Sequence, residues 1–371
     1  MIRTLQSKVN SIKKDLGQIW LGVHLVLGVA LVSRFTHGLL PEGVVSKSIS
    51  EILIAVLLGL YLRALIGKQE ALSPGIQFSM SRVLRFGIIL LGLRLSLQDI
   101  AATGLWALGL VIICITTALS LAYIAGRLFK IPTRLAALIG FGTAICGNSA
   151  IVATAPVIEA DEEEVSFAVA TITLFGLLAV ITYPLIGHLL NLPDRAFGLW
   201  SGTAVNDTSQ VIAVSAIYSD LAQNFATIVK LTRNTLMAPL ILLIGLVYNR
   251  AISKKESGDS AAPRARIGKL VPGFVVGFIL MSFFRTLGVM LGFFPADASE
   301  PGQLVWAAKF LNIMDGTSKF AILMALSAVG LNTDFSNLKR IGLKPLLVGT
   351  FVALLLSIIS LSLILFTPFG G

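Results

Sequence analysis

The chain of 371 residues is 56% apolar and 13% charged, with a mean hydropathy of +0.88. Soluble chains carry roughly 25% charged residues, so a water-surrounded fold is excluded. At about 20 residues per crossing the length allows roughly nine to twelve spans, which excludes a single-span receptor and a large catalytic domain outside the membrane. Lys and Arg exceed Asp and Glu by 29 to 19. In a membrane chain that surplus belongs in short cytoplasmic loops, so no nucleic-acid partner is expected.

In chain order, Lys8, Lys13 and Lys14 precede an apolar run at 17–36. No small-residue cleavage site follows Phe35, so the run is expected to be a retained first span rather than a signal peptide. Scaffold-type spans are expected within 51–128, at 51–67, 79–97 and 104–128. Cys114 lies in the last of these as a small core hydrophobe. A core region at 134–248 follows, with apolar stretches at 134–158, 165–190, 198–218 and 225–248. A polar stretch at 249–269, rich in Ser, Lys, Ala and Arg, is expected to be a solvated loop. A second scaffold-type set within 268–367 has stretches at 268–291, 303–331 and 342–367. The whole is expected to be one all-α, polytopic membrane domain.

Basic residues set the orientation. One group of connections holds Arg3, Lys68, Arg127, Lys130, Arg134, Arg250, Lys254, Lys339 and Lys344, among others, while the opposite group holds little beyond Lys47 and Arg195. The bias puts the N-terminus in the cytoplasm and the C-terminus outside.

Two internal repeats stand out. GTAICGNSAIVA at 142–153 matches GTAVNDTSQVIA at 202–213, a shift of 60 residues, and SFAVATITLF (166–175) lies against NFATIVKLTR (224–233). GLRLSLQDIAATGL at 92–105 matches GLNTDFSNLKRIGL at 330–343, a shift of 238 residues. With the orientation above, the second pair makes an inverted repeat. The first pair is inverted only if 134–158 and 198–218 each enter and leave on one side, as re-entrant hairpins; the alternative is two broken full-length helices.

Bare backbone is expensive in hydrocarbon and persists only inside protein or beside a water-filled cavity. Inverted-repeat transporters use such breaks as their binding sites. Each break here starts a helix arm, near Asn148–Ser149 and Thr208–Ser209, and two converging helix N-termini attract an anion. The candidate binding residues are therefore Cys146, Gly147, Asn148 and Ser149 in the first break and Asn206, Asp207, Thr208, Ser209 and Gln210 in the second. Helix packing and capping by the same Gly, Ser and Asn residues is the competing reading. Lys230 and Arg233, three apart on one helical face, either coordinate the anion beside the breaks or snorkel to an interface. Asp207 either caps a helix, carries a coupling proton or helps hold Na⁺. Asp315 and Lys319, four apart, are expected to pair, and the acidic run Asp161–Glu164 to be a solvated turn. The histidines His24, His37 and His188 are too scattered for a metal site, and no cofactor motif occurs.

At 142–160, 201–216 and 227–240 (GTAICGNSAIVATAPVIEA, SGTAVNDTSQVIAVSA, TIVKLTRNTLMAPL) the sequence resembles the YeiH-type family, named for sulfate export, over roughly residues 20–366. The family is grouped with cation/proton antiporters and anion transporters. The resemblance implies a non-enzymatic secondary transporter in a bacterial inner membrane. It would export sulfate, a sulfonate or another small inorganic or organic anion, with H⁺ or Na⁺ coupling and a homodimer as further options. The second motif departs from the family's frequent His-Glu, having Asn206 and Asp207 instead, which removes a histidine from any proton-coupling role there. Two other readings remain: a membrane-embedded serine hydrolase using Ser149 with His188 as base, and an anion channel.

Overall fold

The computed structural model describes residues 2–40, 50–67, 69–237, 239–241, 243–245, 273–295, 305–333 and 343–367. The stretch 249–269 and positions 334–342 of the longer repeat lie outside them. The described elements are helical: α1 (Ile2–Gly38), α2 (Glu51–Ile66), α3 (Ser73–Phe78), a π-helical turn (Ser79–Val83) and α4 (Leu84–Leu91). There follow α5 (Leu97–Leu128), α6 (Thr133–Ala144), α7 (Asn148–Thr154), α8 (Glu162–Leu189), α9 (Asp194–Ala204), α10 (Thr208–Tyr218) and α11 (Asp220–Thr235). The last three are α12 (Gly273–Met290), α13 (Val305–Asn332) and α14 (Leu343–Phe366).

Among the described residues eight stretches are long and apolar enough to cross a membrane: Ile19–Gly38, Ser73–Arg94, Ile100–Leu128, Glu162–Leu189, Asp220–Gly245, Gly273–Met290, Trp306–Asn332 and Leu343–Phe366. Helix α2, with 16 residues, spans about 24 Å and falls short of a ~30 Å hydrocarbon core. The expected all-α, multi-pass architecture is what the described residues form.

Several boundaries differ from the pattern reading, including the starts of α5 at Leu97, α11 at Asp220 and α12 at Gly273, and two other differences have a local reason. The first helix begins at Ile2, well before the apolar run at 17. The span expected from 79 begins at Ser73, because Pro74 sits in the first turn where its missing N–H is harmless. The acidic run is the start of α8. Asp161 and Glu164 form a reciprocal capping box, and Glu162–Glu164 face the positive end of the helix.

Two compact units emerge. One comprises Met1–Leu97 and Gly277–Phe335, the other Gln98–Val276 and Ser336–Gly371. Of the three junctions, those after Leu97 and after Phe335 are separated by the same 238 residues as the longer sequence repeat.

In the first unit, small residues let backbones touch. A Cβ on Gly59 would stand 2.7 Å from the Ser327 carbonyl, and one on Gly75 would stand 2.2 Å from that of Ile19. Such close approach substitutes dispersion contact for the hydrophobic drive that lipid cannot supply. Asp315 pairs with Lys319 at 3.4 Å, as its spacing predicts, and also with Arg94.

In the second unit, Leu135, Leu138, Ile139, Ile151, Ala155 and Ile158 of the first interrupted segment share a core with Ala122 of α5, Ile172 of α8 and Val352 of α14. Trp200 of α9 donates its indole N–H to the Ser357 carbonyl of α14 at 3.1 Å. Thr203 and Ser360 hydrogen-bond at 2.6 Å. The interrupted segments are thus held by long, continuous helices on their flanks.

Candidate functional site

The two breaks match in their helix boundaries as well as in sequence, though the backbone turns differently within them. Helix α6 ends at Ala144 and α9 at Ala204; α7 begins at Asn148 and α10 at Thr208. All four positions keep the 60-residue shift. After each first arm the next N–H turns back, from Ile145 to the Phe141 carbonyl and from Val205 to that of Ser201, both at 3.1 Å. Gly147 then takes φ +67, a conformation that favours glycine. Its missing side chain is also what brings the breaks together. A Cβ there would meet Asp207 Oδ2 at 3.0 Å and Asp207 Cα at 3.1 Å.

The arms of each copy lie side by side. At the far end of the second, Ser219 Oγ donates to Asp194 Oδ1 at 2.5 Å. Phe197 stacks on Tyr218 with ring centroids 3.8 Å apart. In the first, a Cβ on Gly142 would stand 2.9 Å from Ile151 Cδ1. Glycine at 142 is therefore what admits the returning arm.

Breaking a helix strands its last carbonyls, which carry the negative end of the helix dipole. Lys230 and Arg233, on one face of α11, meet that need. Lys230 Nζ donates to the carbonyls of Ile145 (2.9 Å), Val205 (3.1 Å) and Asn206. Arg233 donates from Nε to Ala144 (3.0 Å) and from one terminal nitrogen to Gly202 (3.1 Å), Thr203 (2.7 Å) and Val205 (3.2 Å). Its other terminal nitrogen donates to the Thr143 carbonyl. Both side chains are fully buried, 0% and 1% exposed. A buried cation survives only when its donors are satisfied, and here both are saturated by carbonyls from the two breaks at once. Neither head group snorkels. In the aligned window of α8 their places are held by Ile172 and Phe175, so the cation pair belongs to one copy alone.

The N-terminal side of the breaks is lined by amides and hydroxyls. Asp207 caps α10, accepting from Ser209 N at 2.9 Å and Ser209 Oγ at 2.7 Å. Gln210 Oε1 accepts from the Asp207 N–H at 3.3 Å, completing a capping box. The other end of the Gln210 amide donates to the Thr173 carbonyl at 3.3 Å, and Asn148 Nδ2 donates to Thr173 Oγ1 at 3.3 Å. Asn234 Nδ2 reaches Thr208 Oγ1 at 3.4 Å, and Cys146 Sγ lies 3.5 Å from Met237 Sδ.

All eleven expected site residues therefore lie on or against the paired breaks. Cys146, Asn206, Ser209 and Gln210 are buried, Asn148, Asp207 and Thr208 partly so, and Ser149 is exposed. Several buried acceptors there have no partner: Thr143 Oγ1, Asn148 Oδ1, Asn206 Oδ1 and Asn234 Oδ1. Orphaned buried polar atoms are uncommon, and four around the paired breaks mark a place that a polar solute or water would complete.

Three residues of the ring escaped the sequence reading: Thr173, Asn234 and Met237. Thr173 falls in the duplicated 166–175 window and Asn234 directly follows Arg233, so the repeat held a signal for the first and mere adjacency for the second. Among the described residues no group of three His, Cys, Asp or Glu is placed to hold a metal.

The family model described as Conserved hypothetical protein 698 matches residues 21–349, a range that contains both breaks and both cations. The chain belongs to this family, the UPF0324 membrane proteins. It is 32% identical over 346 residues to a UPF0324 membrane protein of Clostridium tetani, covering 91% of this chain and 94% of the relative. It is 36% identical over 314 residues to one of Fusobacterium nucleatum, covering 83% and 88%. One from Streptococcus agalactiae is 35% identical over 313 residues, again covering 83% and 88%. UPF0324 membership fits the YeiH-type resemblance carried by the three motifs, and with the eight candidate spans it is consistent with a multi-pass membrane protein.

Proposed function

We propose that this UPF0324 protein is a secondary transporter of a small anion, such as sulfate or a sulfonate, working by alternating access in a bacterial inner membrane. The observation that carries the reading is the pair of touching breaks with Lys230 and Arg233 buried behind them. Charge bookkeeping supports an anion. The half charges of two helix C-termini and two helix N-termini cancel. Two cations against the single carboxylate of Asp207 then leave the site net positive. Low dielectric around the breaks makes that surplus felt more strongly than it would be in water.

In this reading 134–158 and 198–218 are re-entrant hairpins of opposite insertion within an inverted repeat. The contact of Asp194 with Ser219 supports it, because the two ends of the second segment then lie at one membrane face. The 238-residue interval between the junctions after Leu97 and after Phe335 supports the inverted repeat as well. The substrate sits at Cys146–Ser149 and Asn206–Gln210, hydrogen-bonded by Ser149, Asn148 and Thr208. Lys230 and Arg233 act from behind as fixed positive charge. Asp207 is the group through which H⁺ or Na⁺ couples. Motion of the bundle carrying the breaks exposes the site to each side in turn. The N-terminus lies in the cytoplasm and the C-terminus outside.

The protein is not a hydrolase in this reading. His188, the base that Ser149 needs, stacks on Tyr218 at 4.5 Å. Tyr218 ends the 11-residue helix α10, about 16 Å along its axis from the Asp207 break. Purified protein in liposomes tests the proposal. Labelled sulfate or a sulfonate should show saturable counterflow, lost in Ser149→Ala and Thr208→Val variants that keep the wild-type melting temperature. Ohmic flux without saturation, or unchanged counterflow in both variants, overturns it.

A further inference from the structure

Away from the breaks, the second unit has a hollow of about 620 Å³ between α5, α6 and the residues after Ala238. Leu119, Ala137, Leu243 and Ile244 line its wall, and Arg127 and Lys130 stand at one end. Those two belong to the last turn of α5 and the turn after it, where a spanning helix meets the headgroup layer. Leu119 lies eight residues back along α5, about 12 Å deeper by helical rise. The hollow therefore runs from a charged mouth into an apolar interior.

Both basic side chains are exposed, and neither pairs with a carboxylate among the described residues. Arg127 instead lies over the Tyr123 ring at 4.8 Å. That contact fixes the guanidinium and leaves its N–H edge free for an oxyanion. Asp161, Glu163 and Glu164 line a separate hollow that shares Lys130 but not Arg127. By sequence the chain's own stretch 249–269 is net basic, Arg250, Lys254, Lys255, Arg264, Arg266 and Lys269 outnumbering Glu256 and Asp259.

We propose that this hollow binds an anionic phospholipid, with its phosphate at Arg127 and Lys130 and an acyl chain along the Leu119–Ala137–Leu243 wall. Selection comes from the headgroup. A lipid tail gains little by moving from bilayer to groove, whereas each basic residue at the membrane surface contributes measurably to holding an anionic lipid.

Thermal unfolding of the full chain in detergent tests this with three additions: phosphatidylglycerol, phosphatidylcholine and inorganic phosphate. Phosphatidylglycerol alone should raise the melting temperature. R127A/K130A should weaken its apparent affinity roughly tenfold or more. A137W, which fills the apolar wall and keeps both charges, should also abolish the shift. An equal shift with phosphatidylcholine overturns the proposal as non-selective lipid filling. A shift reproduced by inorganic phosphate overturns it as a free-anion site, and a wild-type response from R127A/K130A removes the named residues. Should A137W fail to fold, the R127A/K130A comparison alone decides.

Discussion

Arg233 shows how much a single residue holds here. Its guanidinium takes the carbonyls of Thr143, Ala144, Gly202, Thr203 and Val205, so it ties both breaks to α11. Arg233→Ala strands those acceptors, and each buried orphan costs about 1–3 kcal/mol. The expected outcome is loss of folded protein on size-exclusion chromatography, or a melting temperature far below wild type. Arg233→Lys, which keeps the charge without the planar fork, should fall between the two. The three-residue spacing from Lys230 was enough to place both cations on one helical face. It gave no hint of their partners, because the carbonyls come from segments about 25–90 residues away whose fold is what creates the need. Asp207 was more legible: an acid three residues before Gln210 at the start of an apolar run is a capping-box pattern, and the cap is there.

At the scale of elements, the duplicated Gly-Thr-Ala motif predicted two interrupted helices. The interruptions fall at 145–147 and 205–207. Less legible was what braces them, since the brace is a neighbour's absent side chain. A Cβ on Gly176 of α8 would stand 1.5 Å from Gln210 Oε1, so Gly176→Ala should expel Gln210 from its cap and destabilise by about 1 kcal/mol or more. In a Gln210→Ala background the obstacle is gone, and the same change should become neutral or stabilising by up to ~1 kcal/mol through helix propensity. A double-mutant cycle of chemical unfolding reads this reversal directly. Equal effects in both backgrounds would show that the cap is not what Gly176 makes room for.

For the molecule as a whole, hydropathy located each of the eight long apolar helices, with several starts off by five to seven residues. Two of the differences follow a local signal that overrides it: Pro74 starting a helix early, and Asp161 with Glu164 starting another. The partition into units was beyond reach of hydropathy, because every span is apolar and only side-chain contacts such as those of Trp200 and Thr203 with α14 say which belong together. The repeat at 92–105 and 330–343 nevertheless straddles two of the three unit junctions. The duplication thus carried domain information that composition lacked.

Burial of Lys230 and Arg233 has a further consequence. Mobile ions in solution shield charges that they can approach, over a Debye length of about 8 Å at 0.15 M, and they cannot approach either of these. Sulfate affinity should therefore hold nearly constant as an inert, bulky electrolyte is raised from 0.05 to about 0.5 M, whereas a surface cluster would lose most of its grip over that range. Isothermal titration at several ionic strengths distinguishes the two. A steep decline would mean that the attraction originates on the exterior, leaving the interior pair a purely architectural part.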